Sequence, residues 1–238
     1  MSEVCFNGPI GRIEGRYSKR FDKSAPVALI LHPDPMQGGT MNNKCTYTLF
    51  KIFAETGFTV LRINFPGVGN SDGVKGNGEN EFRVASCALD WLQCENPNAS
   101  HYWISGFSFG SFVAMQLATR RPEIENFVLL APPANKYDYS FSVPCPLPGL
   151  VLSAVNDKIA TLSSIKSLVE DWSKKKDCKV DHHVVPDADH FFNNKLDDVE
   201  SAVKEYVNVC LAMRISKPVR KKRRKRKKKD REYEDNSD

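Results

Sequence analysis

Three residues of the 238-residue chain have the types and the order needed for nucleophilic acyl chemistry: Ser108, Asp157 and His190. Ser108 stands in Gly106-Phe107-Ser108-Phe109-Gly110, Asp157 follows it by 49 residues, and His190 follows Asp157 by 33. A serine hydroxyl is a poor nucleophile at neutral pH and needs a base, which in turn needs a group to orient it. In this arrangement His190 takes the proton from Ser108, and Asp157 fixes the imidazole tautomer and stabilises the imidazolium. Asp187 and Asp189 also stand near His190, but as loop residues they read as solvated or capping groups, and Asp157 is preferred. A developing oxyanion needs two N–H donors. One is Phe109, directly after the nucleophile. The other is expected from the loop His32-Pro33-Asp34-Pro35-Met36, where the prolines have no N–H. That leaves Asp34, the first choice, or Met36.

The surrounding segments are patterned to hold these residues. His101 to Ser105 reads as a strand entering the pentapeptide, and Ser111 to Ala118 as a packed helix leaving it. So tight a reversal forces Ser108 towards an unfavourable backbone conformation, and glycine at 106 and 110 removes the resulting clashes. Continuous apolar runs at Val27–Leu31, Phe58–Phe65, Phe127–Ala131 and Leu150–Val155 read as strands buried on both faces of a parallel sheet. Helices are expected from Thr40, as cap, to about Thr56, from Phe82 to Gln93, from Leu162 to Trp172 and from about Asp197 to Met213. Cys178 to Val185 alternates like a strand. The glycines among residues 1 to 21 read as turns of an antiparallel pair at a sheet edge, and Pro132 to Pro148, with five prolines, as an irregular loop. Regular alternation of strand and helix implies a mostly parallel, doubly wound α/β sheet. Asp157 and His190 each follow a strand, so both fall on the sheet edge where such folds bind ligands.

Composition narrows the classes further. The net charge of +5 is uneven: residues 214 to 238 hold 13 Lys and Arg against 5 Asp and Glu, while the first 213 carry 21 basic and 24 acidic residues. The expected organisation is one domain over 1–213 and a basic, disordered tail over 214–238, with ten uninterrupted basic residues at 220–229. Such a tail suits non-specific contact with nucleic acid or an anionic membrane. Seven scattered cysteines without a C-x-x-C pair suggest reduced thiols. With no signal-peptide pattern and no apolar run long enough to span a membrane, a cytoplasmic location is expected. His182 and His183 are adjacent on a strand and face opposite ways, so no metal site and no cofactor are expected. His32 is read as shaping its loop by hydrogen bonding and Cys145 as exposed; Phe107, Phe109, Phe112, Phe191 and Phe192 read mostly as core, with Phe191 and Phe192 able instead to line an acyl pocket.

Four motifs carry a family resemblance: His32-Pro33-Asp34-Pro35, Gly38-Gly39-Thr40-Met41-Asn42-Asn43, Gly67-Val68-Gly69-Asn70-Ser71-Asp72-Gly73 and the Ser108 pentapeptide. Over about residues 5 to 213 the chain resembles the α/β hydrolases, and within them the small capless bacterial group related to dienelactone hydrolases and serine aminopeptidases. The resemblance implies an α/β-hydrolase fold without a large cap and a small acyl or ester substrate. Asn64 departs from it where an acidic residue is frequent, and Ser111 where a second glycine is common. The expectation is a serine hydrolase cleaving a carboxylic ester or related acyl bond, with peptidase or dienelactone-type chemistry as variants. The rival is a retired hydrolase fold acting as a nucleic-acid-associated scaffold through its tail.

Overall fold

The computed structural model describes residues 1–76, 78–174 and 179–215. The basic tail therefore lies outside the described residues, apart from Arg214 and Ile215, which end the last helix. In chain order the elements are β1 (Ser2–Gly8), β2 (Gly11–Ser18), β3 (Val27–Leu31), α1 (Lys44–Glu55), β4 (Thr59–Ile63), α2 (Glu79–Glu95), β5 (Tyr102–Phe107), α3 (Phe109–Arg120), β6 (Ile124–Leu130), β7 (Gly149–Ala154), α4 (Leu162–Trp172), β8 (Val180–Val185) and α5 (Leu196–Ile215). The described strands form one sheet in the order β1-β2-β4-β3-β5-β6-β7-β8. β1, β2 and β4 pair antiparallel, and the remaining pairs are parallel.

The apolar runs at Val27–Leu31 and Thr59–Ile63 are buried throughout because helices cover both faces of the sheet. On one face α1 and α5 pack together, with Phe53 and Tyr206 meeting Trp103 of β5 edge-on. On the other, α2 packs on α3, and α4 joins them through Tyr139, whose ring meets both Phe112 and Trp172. Between β6 and β7 the chain is irregular apart from a short 3-10 turn at Ser140–Ser142. Burial contradicts one expectation there: Cys145 is fully enclosed, its thiol donating to the Leu147 carbonyl.

Helix α1 begins later than its sequence suggests. Asn43, not Thr40, is the cap, accepting from the Cys45 N–H at 2.9 Å, while Thr40 closes a preceding turn by accepting from the Asn42 N–H. This preceding segment is pinned by Arg62, a cation buried in β4 whose guanidinium donates to the Met41 carbonyl and to Asn42 Oδ1. The rings of Tyr47 and Phe50 lie against it.

Polar side chains tie the loops after β3 and β4 to one another. The buried His32 accepts the Phe65 N–H on Nε2 at 3.0 Å, so its proton sits on Nδ1, which donates to the Pro33 carbonyl. Burial keeps this ring neutral, lowering its pKa to about 3 against the opposing pull of that carbonyl. Asn64 accepts from the Met41 N–H and donates to Glu14 Oε2 at 2.7 Å. Glu14 also accepts from Asn70. Burial raises the Glu14 pKa, but these amide donors outweigh it and the net shift is downward.

Two outcomes follow from these ties. Asp in place of Asn64 sets a second carboxylate against Glu14, so Asn64→Asp should lower the urea midpoint at neutral pH. Its deficit should shrink towards about pH 4, where the pair shares a proton, and a deficit independent of pH would contradict this. For His32, the unfolded chain takes up a proton below about pH 6.5 that the folded state refuses down to about pH 3, so wild-type stability falls with acidification in that window, by up to about 1.4 kcal/mol per pH unit. Urea titrations at successive pH values should therefore show the advantage of wild type over His32→Gln narrowing as pH falls. A constant gap would refute the linkage.

Candidate active site

The turn between β5 and α3 holds Ser108 at φ 53° and ψ −121°, a strained conformation for a residue with a side chain. A Cβ on Gly106 would overlap the Gly110 carbonyl, and one on Gly110 would overlap the carbonyls of Leu31 and His32. Glycine at both positions therefore lets α3 start directly against the end of β3. The Ser108 N–H donates to the Leu130 carbonyl of β6 at 2.9 Å. Ser111 is enclosed on the first turn of α3, and its hydroxyl donates to the carbonyls of Gly106 and Leu130. The departure from glycine at this position thus adds ties across the turn.

The structure brings Ser108, His190 and Asp157 together although they are far apart in sequence. His190 Nε2 lies 3.0 Å from Ser108 Oγ, and Nδ1 lies 2.7 Å from Asp157 Oδ2. With Nδ1–H donating to the carboxylate, Nε2 presents its lone pair to the serine hydroxyl. The other oxygen of Asp157 accepts the N–H groups of Ile159 and Ala160, at 2.7 and 2.8 Å, which fixes the carboxylate's orientation. All three residues are buried, so water competes little for these bonds. The two neighbouring acids are occupied differently. Asp189 accepts from Phe191 and Asn193, and Asp187 sits at a turn with φ 55°.

A cavity of about 260 Å³ opens beside Ser108 and His190. Asp34 and Phe109 line it, and among the described residues no acceptor takes either of their N–H groups. Met36 falls out as a donor to this cavity. Its N–H is already given to Asp34 Oδ1 at 2.8 Å, and its side chain is exposed outside the lining. The Asp34 loop closes through Gly38, at φ 77°, and Gly39, where a Cβ would overlap the Pro33 carbonyl.

The aromatic pair after His190 divides. Phe191 lines the cavity, whereas Phe192 is fully buried in the core. Asn43, Lys136, Tyr137 and Ile159 also line it and were not singled out by sequence. The cap signal of Asn43 before an apolar helix could have pointed to it, whereas nothing in the aperiodic, proline-rich stretch marks Tyr137. Its ring stacks on Phe112 at 4.7 Å and meets Phe109 at 5.6 Å, so it hangs from α3 as a wall of the cavity. Away from the site, His182 Nε2 lies 2.7 Å from Ser153 Oγ. Among the described residues no cluster of three His, Cys, Asp or Glu could hold a metal ion, and no helix is long and apolar enough to cross a membrane.

Comparison with known proteins agrees with this architecture. A family model for the alpha/beta hydrolase fold matches residues 37–144. The uncharacterised protein RP471 of Rickettsia prowazekii is 49% identical over 211 residues, covering 87% of this chain and 89% of the relative. The crystal structure of ATU1826, a putative alpha/beta hydrolase of unknown function from Agrobacterium tumefaciens, superposes with a TM-score of 0.87 at 45% identity, covering 89% of this chain and 97% of that one. XC6422 from Xanthomonas campestris, described as an a/b serine hydrolase without lid, superposes with a TM-score of 0.78 at 28% identity, over 88% of this chain and 94% of that one. The eight-stranded sheet with its antiparallel edge, the helical layers without a large cap and these similarities agree: the chain belongs to the alpha/beta hydrolase family.

Proposed function

We propose that the protein is a serine hydrolase that cleaves a carboxylic ester or related acyl bond through an acyl-enzyme on Ser108. The observation that carries this reading is the continuous hydrogen-bonded path from Ser108 Oγ through His190 to Asp157, starting at a serine held in a strained turn beside a cavity. His190 Nε2 accepts the hydroxyl proton as Oγ bonds to the acyl carbon. The carbonyl oxygen becomes an oxyanion received by the N–H groups of Phe109 and Asp34. Collapse breaks the bond to the leaving group, which departs with the proton from Nε2. Water then loses a proton to the same nitrogen, attacks the acyl carbon and releases the acid and free Ser108. Throughout, Asp157 stabilises the imidazolium that appears in each half-reaction.

The small cavity and the absence of a large cap favour modest, accessible acyl groups over long lipid chains. Aromatic walls from Phe109, Tyr137 and Phe191 suit an apolar acyl portion. The serine hydrolase description of XC6422, at 28% identity, supports the same chemistry. A scaffold role through the basic tail rests on residues outside the described ones.

A fluorophosphonate probe should add one adduct mass to the folded protein, at Ser108. Ser108→Ala should abolish the adduct, and Ser108→Ala and His190→Ala should each lower p-nitrophenyl ester turnover by at least ~10³-fold with circular dichroism unchanged. An unlabelled wild type, or full turnover in either variant, would reject the assignment.

A further inference from the structure

The segment carrying His190 has an unusual backbone. Of the five described non-glycine residues with positive φ, three lie in it: Asp187 at 55°, Phe192 at 52° and Asn194 at 56°. Such conformations persist only where surrounding contacts over-determine them. Many of those contacts are internal to the loop. The Asp189 carboxylate gathers the N–H groups of Phe191 and Asn193 and the Asn193 side chain, while the Phe192 N–H donates to the Asp189 carbonyl. These bonds give the loop its shape, but they do not place it relative to Ser108.

Placement comes in part from the first turn of α1. Cys45 is fully buried, and its thiol donates to the Phe191 carbonyl, directly after His190, at 3.2 Å. Lys44 donates to Asn193 Oδ1 on the exposed side of the same loop. The helix supplying both groups is itself fixed at this end by the Asn43 cap. Further along it is clamped to α5 by ion pairs from Lys51 to Glu200 and from Lys204 to Glu55. Burial pushes the Cys45 thiol up to about 12, with Lys44 pulling the other way, so the sulfur keeps its proton at every physiological pH. Cys45 is therefore a permanent donor, unlike the exposed, low-pKa thiols that react with oxidants.

We propose that Cys45 and Lys44 are positioning residues that hold the His190 loop against α1 and thereby set the separation of His190 Nε2 from Ser108 Oγ. The proposal rests on the reading of His190 as the base that activates Ser108. Because neither side chain lines the cavity, their loss should act on turnover and leave substrate binding alone.

The test compares Cys45→Ala, Cys45→Ser and Lys44→Met by ester kinetics, thermal unfolding and the proton resonance of His190 Nδ1–H. Cys45→Ala should lower kcat about tenfold, within the ~10²-fold that a 1 Å misplacement can cost, with KM unchanged and the His190 resonance displaced. Cys45→Ser keeps a donor and should recover most of the loss. Lys44→Met, on the surface, should shift kcat and the resonance in the same direction by less. If Cys45→Ala does not fold, Lys44→Met decides. A folded Cys45→Ala or Lys44→Met with wild-type kcat and an unmoved resonance would overturn the proposal. Should the wild type hydrolyse no ester, the resonance alone decides: displacement upholds the positioning role while the hydrolytic reading fails, and no displacement rejects the positioning role.

Discussion

The approach of α3 to the end of β3 is the constraint on which the rest of the site depends. The Gly110 backbone lies against the Leu31 and His32 carbonyls so closely that a methyl group could not intervene. With the helix seated there, Ser108 has no relaxed conformation available and is held above the sheet. Packing across the whole α/β layer stabilises this strain, since α3 buries Val113, Ala114, Met115 and Leu117 completely. The same seating leaves the N–H of Phe109, the first residue of α3, without an acceptor beside the cavity.

Once Ser108 is fixed, the other polar groups share a common logic of saturation. Asp157 uses one oxygen for His190 and the other for two backbone donors. His32 spends both ring nitrogens on backbone groups of two loops. Asn64 and Glu14 tie the glycine-rich loop after β4 to β2, one strand in from the sheet edge. Each is a buried or half-buried polar side chain held by two or more hydrogen bonds, which is how a low-dielectric rim can be both polar and rigid. The N–H groups of Phe109 and Asp34 stand out against this pattern as unspent.

Much of this was legible in the sequence because it depends on residue type at fixed spacing. Doubly buried strands announce themselves as continuous apolar runs, and the Gly-x-Ser-x-Gly turn is dictated by close backbone contact. Ser108, Asp157 and His190 fall at strand ends, so the topology alone brings them to one edge. The choice between Asp34 and Met36 was not readable, because it turns on a side-chain bond within the loop: Asp34 Oδ1 consumes the Met36 N–H. The start of α1 was misplaced because Thr40 and Asn43 are both N-cap residue types, although asparagine is the stronger, and the segment between them is held by Arg62. Cys145 was misjudged because its irregular stretch packs into the hydrophobic core, which no periodicity records.

One further consequence comes from the stretch between β6 and β7. Tyr137 stacks on the ring of Phe112 and Tyr139 and Phe141 meet it edge-on, so this stretch is attached to the molecule by ring contacts and a few side-chain hydrogen bonds instead of by sheet pairing. One wall of the cavity, Tyr137, is thereby carried by a different part of the chain from the strand ends. A lineage can lengthen, shorten or replace the stretch and reshape that wall, while the strand ends bearing Ser108, Asp157 and His190 descend unaltered.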